Sequence, residues 1–324
     1  MSEIERHHAP RSQLILGFAL VYVIWGSTYL AIRFAIASIP PLLMAGARFL
    51  VAGLILYVLL RRSGVPRPTR AQWKSATLLG ALFLLGGNGV VSKAEEMVPS
   101  GVAALIVAVV PLWMVLLNAL DGKIWPRLSV LAGVALGIAG MAVLVMPGGA
   151  GANHIDPVGV AMLLTATLSW AVGSLYAHRI EMPASMLLGT GMEMLGGGVL
   201  LLVAGSLSGE WMAFDPSGTT QKSLLAFLYL IFFGSLLGFT AYVWLLKVTT
   251  PARASTYAFV NPVIAVFLGW ALADEPLSLR VVVATLVIVA AVALILYFGA
   301  ARDPAYKKTP EGPTTRPALK TESD

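Results

Sequence analysis

The sequence predicts an all-α, polytopic membrane protein with ten transmembrane helices, arranged as two inverted five-helix repeats. Three observations predict it. Hydrophobic residues make up 58% of the 324 and charged residues only 12%, with a mean hydropathy of +0.83; a soluble domain carries about 25% charged residues. The charges collect in short segments between apolar runs of roughly 18 to 23 residues, the length that spans a ~30 Å hydrocarbon core. Motifs in the first half return in the second, in the same order.

The runs follow one another between helix breakers. Leu14–Ile32 is too long for a signal-peptide core and has no small-residue cleavage site after it, so it is read as a retained helix. Pro40-Pro41 separate it from Leu42–Leu60, and Pro66 and Pro68 precede Ser75–Ser92. Pro99 comes before Gly101–Leu120 and Pro126 before Leu128–Met146, which Pro147-Gly148 ends. In the second half Val158–Ala177 is followed by Pro183, Met186–Ser206 by Pro216 and Leu224–Leu246 by Pro251. Ala254–Ala273 leads through Pro276 to Val281–Phe298. The expected units are a tail over 1–12, a first repeat over 13–149, a second over 157–299 and a disordered tail over 300–324.

Positive charge fixes the expected orientation. With the N-terminus in the cytoplasm, inner segments hold seventeen of the 22 Lys and Arg residues. Outer segments hold only Arg33, Lys93, Lys222 and Arg280. Short cytoplasmic loops carry such an excess, and a missed helix would invert every later loop and erase it. Both termini are therefore expected in the cytoplasm.

The halves also match residue by residue. Gly26-Ser27-Thr28-Tyr29 returns as Gly173-Ser174-Leu175-Tyr176. Arg48-Phe49-Leu50-Val51-Ala52-Gly53 aligns with Glu193-Met194-Leu195-Gly196-Gly197-Gly198, and Pro111 with Pro262. Each unit has five helices. An odd number makes the second copy enter from the opposite face, with a pseudo-two-fold axis in the membrane plane.

Polar residues inside apolar runs are the candidate site. Arg48 and Glu193 are ionisable groups at membrane depth, which marks function by default. By helix rise, their depths differ by roughly 10 Å across a ~30 Å core, so a direct pair is not expected. Arg48 is better placed to meet Glu95, and Glu193 to meet His178 or Arg179. A desolvated Glu takes up a proton near neutral pH, so Glu95 and Glu193 are the candidate coupling groups; a permanent ion pair is the alternative for each. Asn88, Ser92 and Glu95 fall at i, i+4 and i+7, on one helix face that cannot look at lipid. Trp25, Ser27 and Tyr29 lie in the first run, Trp170 and Ser174 in the sixth, Tyr257 and Asn261 in the ninth. These either wall an aromatic pocket near the midplane or pack between helices with their polar tips internally satisfied. Pro111 and Pro262 remove a backbone donor each and are candidate hinges. Gly133, Gly137, Gly140, Gly234 and Gly238 form small-xxx-small packing faces, while Gly196-Gly197-Gly198 is expected to soften the seventh helix.

Trp25-Gly26-Ser27-Thr28-Tyr29, Asn88-Gly89-Val90-Val91-Ser92-Lys93-Ala94-Glu95, Val98-Pro99-Ser100-Gly101, Gly191-Met192-Glu193-Met194-Leu195 and Tyr257-Ala258-Phe259-Val260-Asn261-Pro262 together resemble the EamA-type members of the drug/metabolite transporter superfamily. Within that family the likeness is to the YedA-type bacterial inner-membrane exporters, over residues 14–298. It implies ten helices, two inverted EamA units, a central substrate cavity and export of small metabolites, amino acids or drugs.

Other classes fit less well. The chain has no Cys, which excludes disulfides and thiolate metal sites. It has no G-x-x-x-x-G-K-[ST] and no H-E-x-x-H, so neither an ATP motor nor a zinc protease is expected. A lipid-modifying enzyme would need a nucleophile beside a base, and none stands out. Channels favour rings of subunits; an internal duplication favours two rocking halves. The expectation is a secondary active transporter, not an enzyme, with no cofactor, no metal and no nucleic-acid partner. It would sit as a monomer or weak homodimer in the bilayer of a bacterial inner membrane, with protons as the candidate coupling ion. Aromatics beside carboxylates suit cationic or amphipathic drugs, and Arg48 suits a carboxylate; amino acids carry both groups. An uncoupled facilitator or exchanger and a lipid-like cargo are the alternatives.

Overall fold

The computed structural model describes residues 10–120, 128–145, 155–177, 179–249 and 256–300. Helices account for nearly all of them, and no β-strand occurs among the described residues. Over their described residues the ten predicted apolar runs fall on helical runs; Met146, Ala254 and Ser255 lie outside the described residues. Helix α1 covers Arg11–Ala35 and α2 Pro41–Arg62. Helix α3 is composite: α over Arg70–Gly80, π over Ala81–Gly89 and α over Val90–Ala94. Helix α4 is broken at Ala108-Val109 into Ser100–Val107 and Val110–Leu120. Helix α5 is Leu128–Val145, α6 Pro157–Ala177 and α7 Met186–Leu207. Helix α8 is composite again, with α over Gln221–Tyr229, π over Leu230–Leu237 and α over Gly238–Val248. Helices α9 and α10 are Tyr257–Ala273 and Leu279–Ala300. Among the described residues seven runs are long and apolar enough to cross a membrane; the described apolar stretches of α5, α9 and α10 are shorter.

Local chemistry accounts for several starts. Thr69 and Gln72 close a reciprocal capping box on α3, and Ser185 and Thr220 cap α7 and α8 through their hydroxyls. Helices α2 and α4 begin after prolines and lack a side-chain cap of their own. Their caps come from afar. Glu210 Oε2 accepts from the Leu42 and Leu43 N–H groups, both at 2.9 Å. Glu275 Oε1 accepts from Ser100 N–H and Oγ–H, and its Oε2 from Gly101 N–H. A helix N-terminus exposes free N–H groups and positive partial charge, so a carboxylate is well matched to it.

Glycines set the helix spacing. Along α2 and α7, Gly46 abuts Leu202, Gly198 abuts Leu50, and Gly53 abuts Gly191 and Leu195. Residue numbers rise on one helix as they fall on the other, so the two are antiparallel and in contact over their length. Helices α5 and α10 meet through Gly133 against Ile295 and Gly140 against Ile288, while Gly137 receives Leu112 of α4. The Gly196-Gly197-Gly198 run does not interrupt the helix: α7 is continuous. Gly196 seats Thr77, Gly197 seats Leu84 and Gly198 seats Leu50, so α3 and α2 pack closely against this stretch. The largest buried cluster joins the end of α3 to α4, α6, α9 and α10 through residues such as Val98, Leu105, Leu163 and Ile288.

Candidate functional site

The two charged residues lie on the antiparallel α2–α7 pair. In its register, Arg48 is level with Leu200. Glu193 is seven residues nearer the N-terminal end of α7, about 10 Å at 1.5 Å per residue. Arg48 is 4% exposed, and its Nε donates to Ser235 Oγ at 2.8 Å. Its guanidinium lies 4.6 Å from the Phe49 ring centroid and against Gly234. The expected meeting with Glu95 does not occur. Arg48 reaches into the π segment of α8, and the ion pairs among the described residues are Lys93–Glu96 and Lys93–Glu210. Glu193 is half-buried and makes no ion pair with Arg179; His178 lies outside the described residues. Both membrane-depth charges thus lack a protein counter-ion within 4.0 Å among the described residues.

The two π segments occupy matching places in the halves, which the sequence reading missed. A π turn leaves backbone groups without their usual partners. Trp25 Nε1–H donates to the Gly234 carbonyl of α8 at 3.2 Å. Ser169 Oγ–H donates to the Leu82 carbonyl of α3 at 2.8 Å. One side chain from the first helix of one half, and one from the first helix of the other, therefore serve the third helix across the pseudo-symmetry. The available signals were Gly86-Gly87 and Gly234, where a Cβ would strike Ser169, Trp170 or Arg48.

Around these segments two of the expected aromatic residues, Trp25 and Tyr257, pack together, while Trp170 packs elsewhere. Trp25 has three ring neighbours, Phe239, Tyr242 and Tyr257, with centroids at 5.2, 5.1 and 5.0 Å. Tyr257 and Tyr242 also meet edge to face. Trp170 lies 5.0 Å from Phe83. Trp25 thus has its N–H satisfied and its ring packed by protein in this conformation. Ser27 Oγ shares a hydrogen bond with Tyr229 Oη, at 2.7 Å, and donates to the Ile24 carbonyl. Ser174 donates to the carbonyl of Trp170 on its own helix. Asn261 is buried; its amide, in the orientation its neighbours dictate, donates to the Tyr22 and Tyr257 carbonyls, each at 3.2 Å.

The α3 face behaves unevenly. Asn88 is half-buried and donates weakly, at 3.4 Å, to the Phe83 carbonyl five residues back. Ser92 is buried and donates to the Asn88 carbonyl. Glu95, in the turn after α3, is 0% exposed, and neither carboxylate oxygen has a hydrogen-bond partner. Tyr29 lies within its field. Of the two prolines, Pro111 sits in the first turn after the break in α4, whereas α9 runs on through Pro262.

The EamA-like transporter family model matches this chain twice, over residues 13–146 and 157–297. The chain belongs to the EamA-like transporter family. It is a membrane transporter built from two EamA repeats, not an enzyme. The inner membrane transporter YedA of Escherichia coli strain K12 is 43% identical over 279 residues, covering 86% of this chain and 88% of YedA. The transporter YvbV of Bacillus subtilis strain 168 is 27% identical over 296 residues, covering 88% of this chain and 92% of YvbV. A protein crystal structure with 21% identity matches with a TM-score of 0.60, covering 89% of this chain and 98% of the other; at that identity it speaks for the shared fold.

Proposed function

We propose that this EamA protein exports small metabolites by alternating access, with amino acids and related compounds as first-choice cargo and cationic or amphipathic drugs as second. It works in the bacterial cytoplasmic membrane as ten spans, with both termini in the cytoplasm and the second repeat inverted relative to the first. The antiparallel α2–α7 pair supports that inversion. One observation carries the cargo reading: Arg48 and Glu193, opposite charges at membrane depth, have no protein counter-ion among the described residues. A charge held in a low-dielectric interior needs a partner, and a cargo with an acidic and a basic group supplies both. Asn88, Ser92, Ser27 and Asn261 add hydrogen-bonding groups, and Trp25, Tyr29, Trp170 and Tyr257 add ring faces once the halves part. Ser174 lies on the same stretch of α6 as Trp170. Pro111 and Pro262 are the proposed hinges. Proton entry at Glu95 or Glu193 drives the cycle.

The test has two stages. Cells with and without the gene are screened for resistance to toxic amino-acid analogues and cationic dyes. Purified protein in proteoliposomes is then assayed for uptake of radiolabelled amino acids under an imposed pH gradient. Saturable uptake that rises with the gradient supports the proposal. Saturable uptake indifferent to the gradient replaces it with an uncoupled facilitator. Flux that does not saturate, or transport of lipid analogues alone, overturns it.

A further inference from the structure

Three carboxylates lie where the ends of α1, α3, α7 and α9 approach the starts of α2, α4 and α10, and two of them accept hydrogen bonds, although Glu210 Oε1 has only Lys93 near it. Glu275 takes three hydrogen bonds from the start of α4. Glu210 takes two from the start of α2, with Lys93 Nζ at 3.9 Å. Glu95 is the exception. It is the most deeply buried of the three, and both of its oxygens are bare. The cation that could neutralise it, Arg33, is beside it but engaged otherwise: its Nη1 donates to Glu95's own backbone carbonyl at 2.6 Å. An ionised carboxylate buried without donors is disfavoured by several kcal/mol, and a proton removes most of that penalty.

The surrounding groups favour a proton over a larger ion. From α1, Tyr29 and Arg33 face Glu95; from the α9–α10 turn, Glu275 does. On its own segment, Lys93 is held by Glu96 at 2.7 Å. Helix α6 packs there through Gly159 against Val98. Asp156, at the start of α6, spends its carboxylate on the Val158 N–H. A metal would need several oxygen ligands, yet Glu275 has both oxygens committed. No group of three metal-binding side chains exists among the described residues.

We infer that Glu95, rather than Glu193, carries the proton exchanged for cargo, and that the structure holds it in the neutral form. When it ionises, its O–H bond breaks, the proton passes to water, and Arg33 moves from the Glu95 carbonyl to the carboxylate. The two states of Arg33 tie the charge of the site to the geometry of the α1 and α3 ends. This assignment rests on the transporter reading above, but its test does not.

The experiment is infrared difference spectroscopy on the purified full-length protein in lipid vesicles, stepped from acid to alkaline pH, with protons as the only ligand. Wild type should lose a carboxylic-acid C=O band that E95Q lacks and E193Q retains. In R33Q the same transition should move to higher pH by about one unit, because the ionised form loses its partner. E95D keeps a carboxyl and should shift the band in frequency, which separates loss of the group from loss of the fold. An unchanged band in E95Q or E95D, a band missing only from E193Q, or an unmoved transition in R33Q overturns the assignment. A wild type that shows the Glu95 band but transports nothing would sink the transport proposal and leave the proton site standing.

Discussion

Gly80, at the end of the first α segment of α3, tests whether glycine contacts set the helix spacing. In Gly80→Ala the new Cβ would stand 2.5 Å from the Glu193 carbonyl oxygen, 2.7 Å from the Gly197 nitrogen and 3.0 Å from the Gly197 Cα. All three are backbone atoms of α7, so no rotamer change relieves them, and the helices must move apart. Overpacking of this kind costs about 1–3 kcal/mol, against a gain of about 1 kcal/mol from replacing helical Gly with Ala. The immobile backbone contacts place the cost at the upper end, for a net loss of about 2 kcal/mol. Gly189→Ala is the control. Its Cβ would meet the flexible end of Met182 at 3.1 Å and Pro183 at 3.7 Å, so the propensity gain should prevail. Unfolding of both variants in lipid-detergent micelles, followed by tryptophan fluorescence, gives the comparison. A wild-type midpoint for Gly80→Ala beside a lowered one for Gly189→Ala would refute the reasoning.

Other outcomes follow from the same geometry. Glu193→Gln should keep gradient-driven uptake while raising the KM for cargo with an amino group, read in proteoliposomes; loss of the gradient dependence would return the coupling role to Glu193. Trp25→Phe removes the donor to the Gly234 carbonyl and should destabilise the protein by about 1–3 kcal/mol, seen as a lowered thermal midpoint. Gly234→Ala brings a methyl to 3.1 Å from the Arg48 guanidinium. It should impair uptake of carboxylate cargo more than of cationic dyes, and equal loss of both would count against an Arg48 contact. Burial raises the Glu210 carboxyl above its ordinary range, opposed by the Leu43 N–H, Lys93 and the Leu42 N–H. A carboxyl with a raised folded-state value binds more protons folded than unfolded, so its contribution falls as pH rises from the ordinary carboxylate range to the raised value. Glu210→Gln should flatten that decline in melting profiles while keeping an acceptor for α2, and Glu210→Ala should lose about 1 kcal/mol as a missing cap.

Apolar run length and breaker position were local properties, so the helices were legible in the chain. Pro40-Pro41, Pro99 and Pro183 mark boundaries because proline cannot donate within a helix, and the predicted runs are helical over their described residues. The matched motifs were legible too, because duplication leaves its trace in residue order. The partners of each polar group were not. Arg48 meets Ser235, not Glu95, because α8 enters the gap beside α2, and nothing in residue order says which helix does so. Two acids outside the ten apolar runs, Glu210 and Glu275, turn out to cap helices whose own starts offer only proline before the first N–H. The π segments depend on α1 and α6 supplying donors to carbonyls that an isolated helix would have kept for itself.

The sequence by itself determined that the chain forms apolar helices separated by its breakers and that they come as two related sets, since those follow from hydrophobic length and backbone chemistry. Only the tertiary structure decided which charges are satisfied and which are left bare. That depends on the angle and register at which distant helices meet, and a hydrogen bond forms or fails over a few tenths of an ångström.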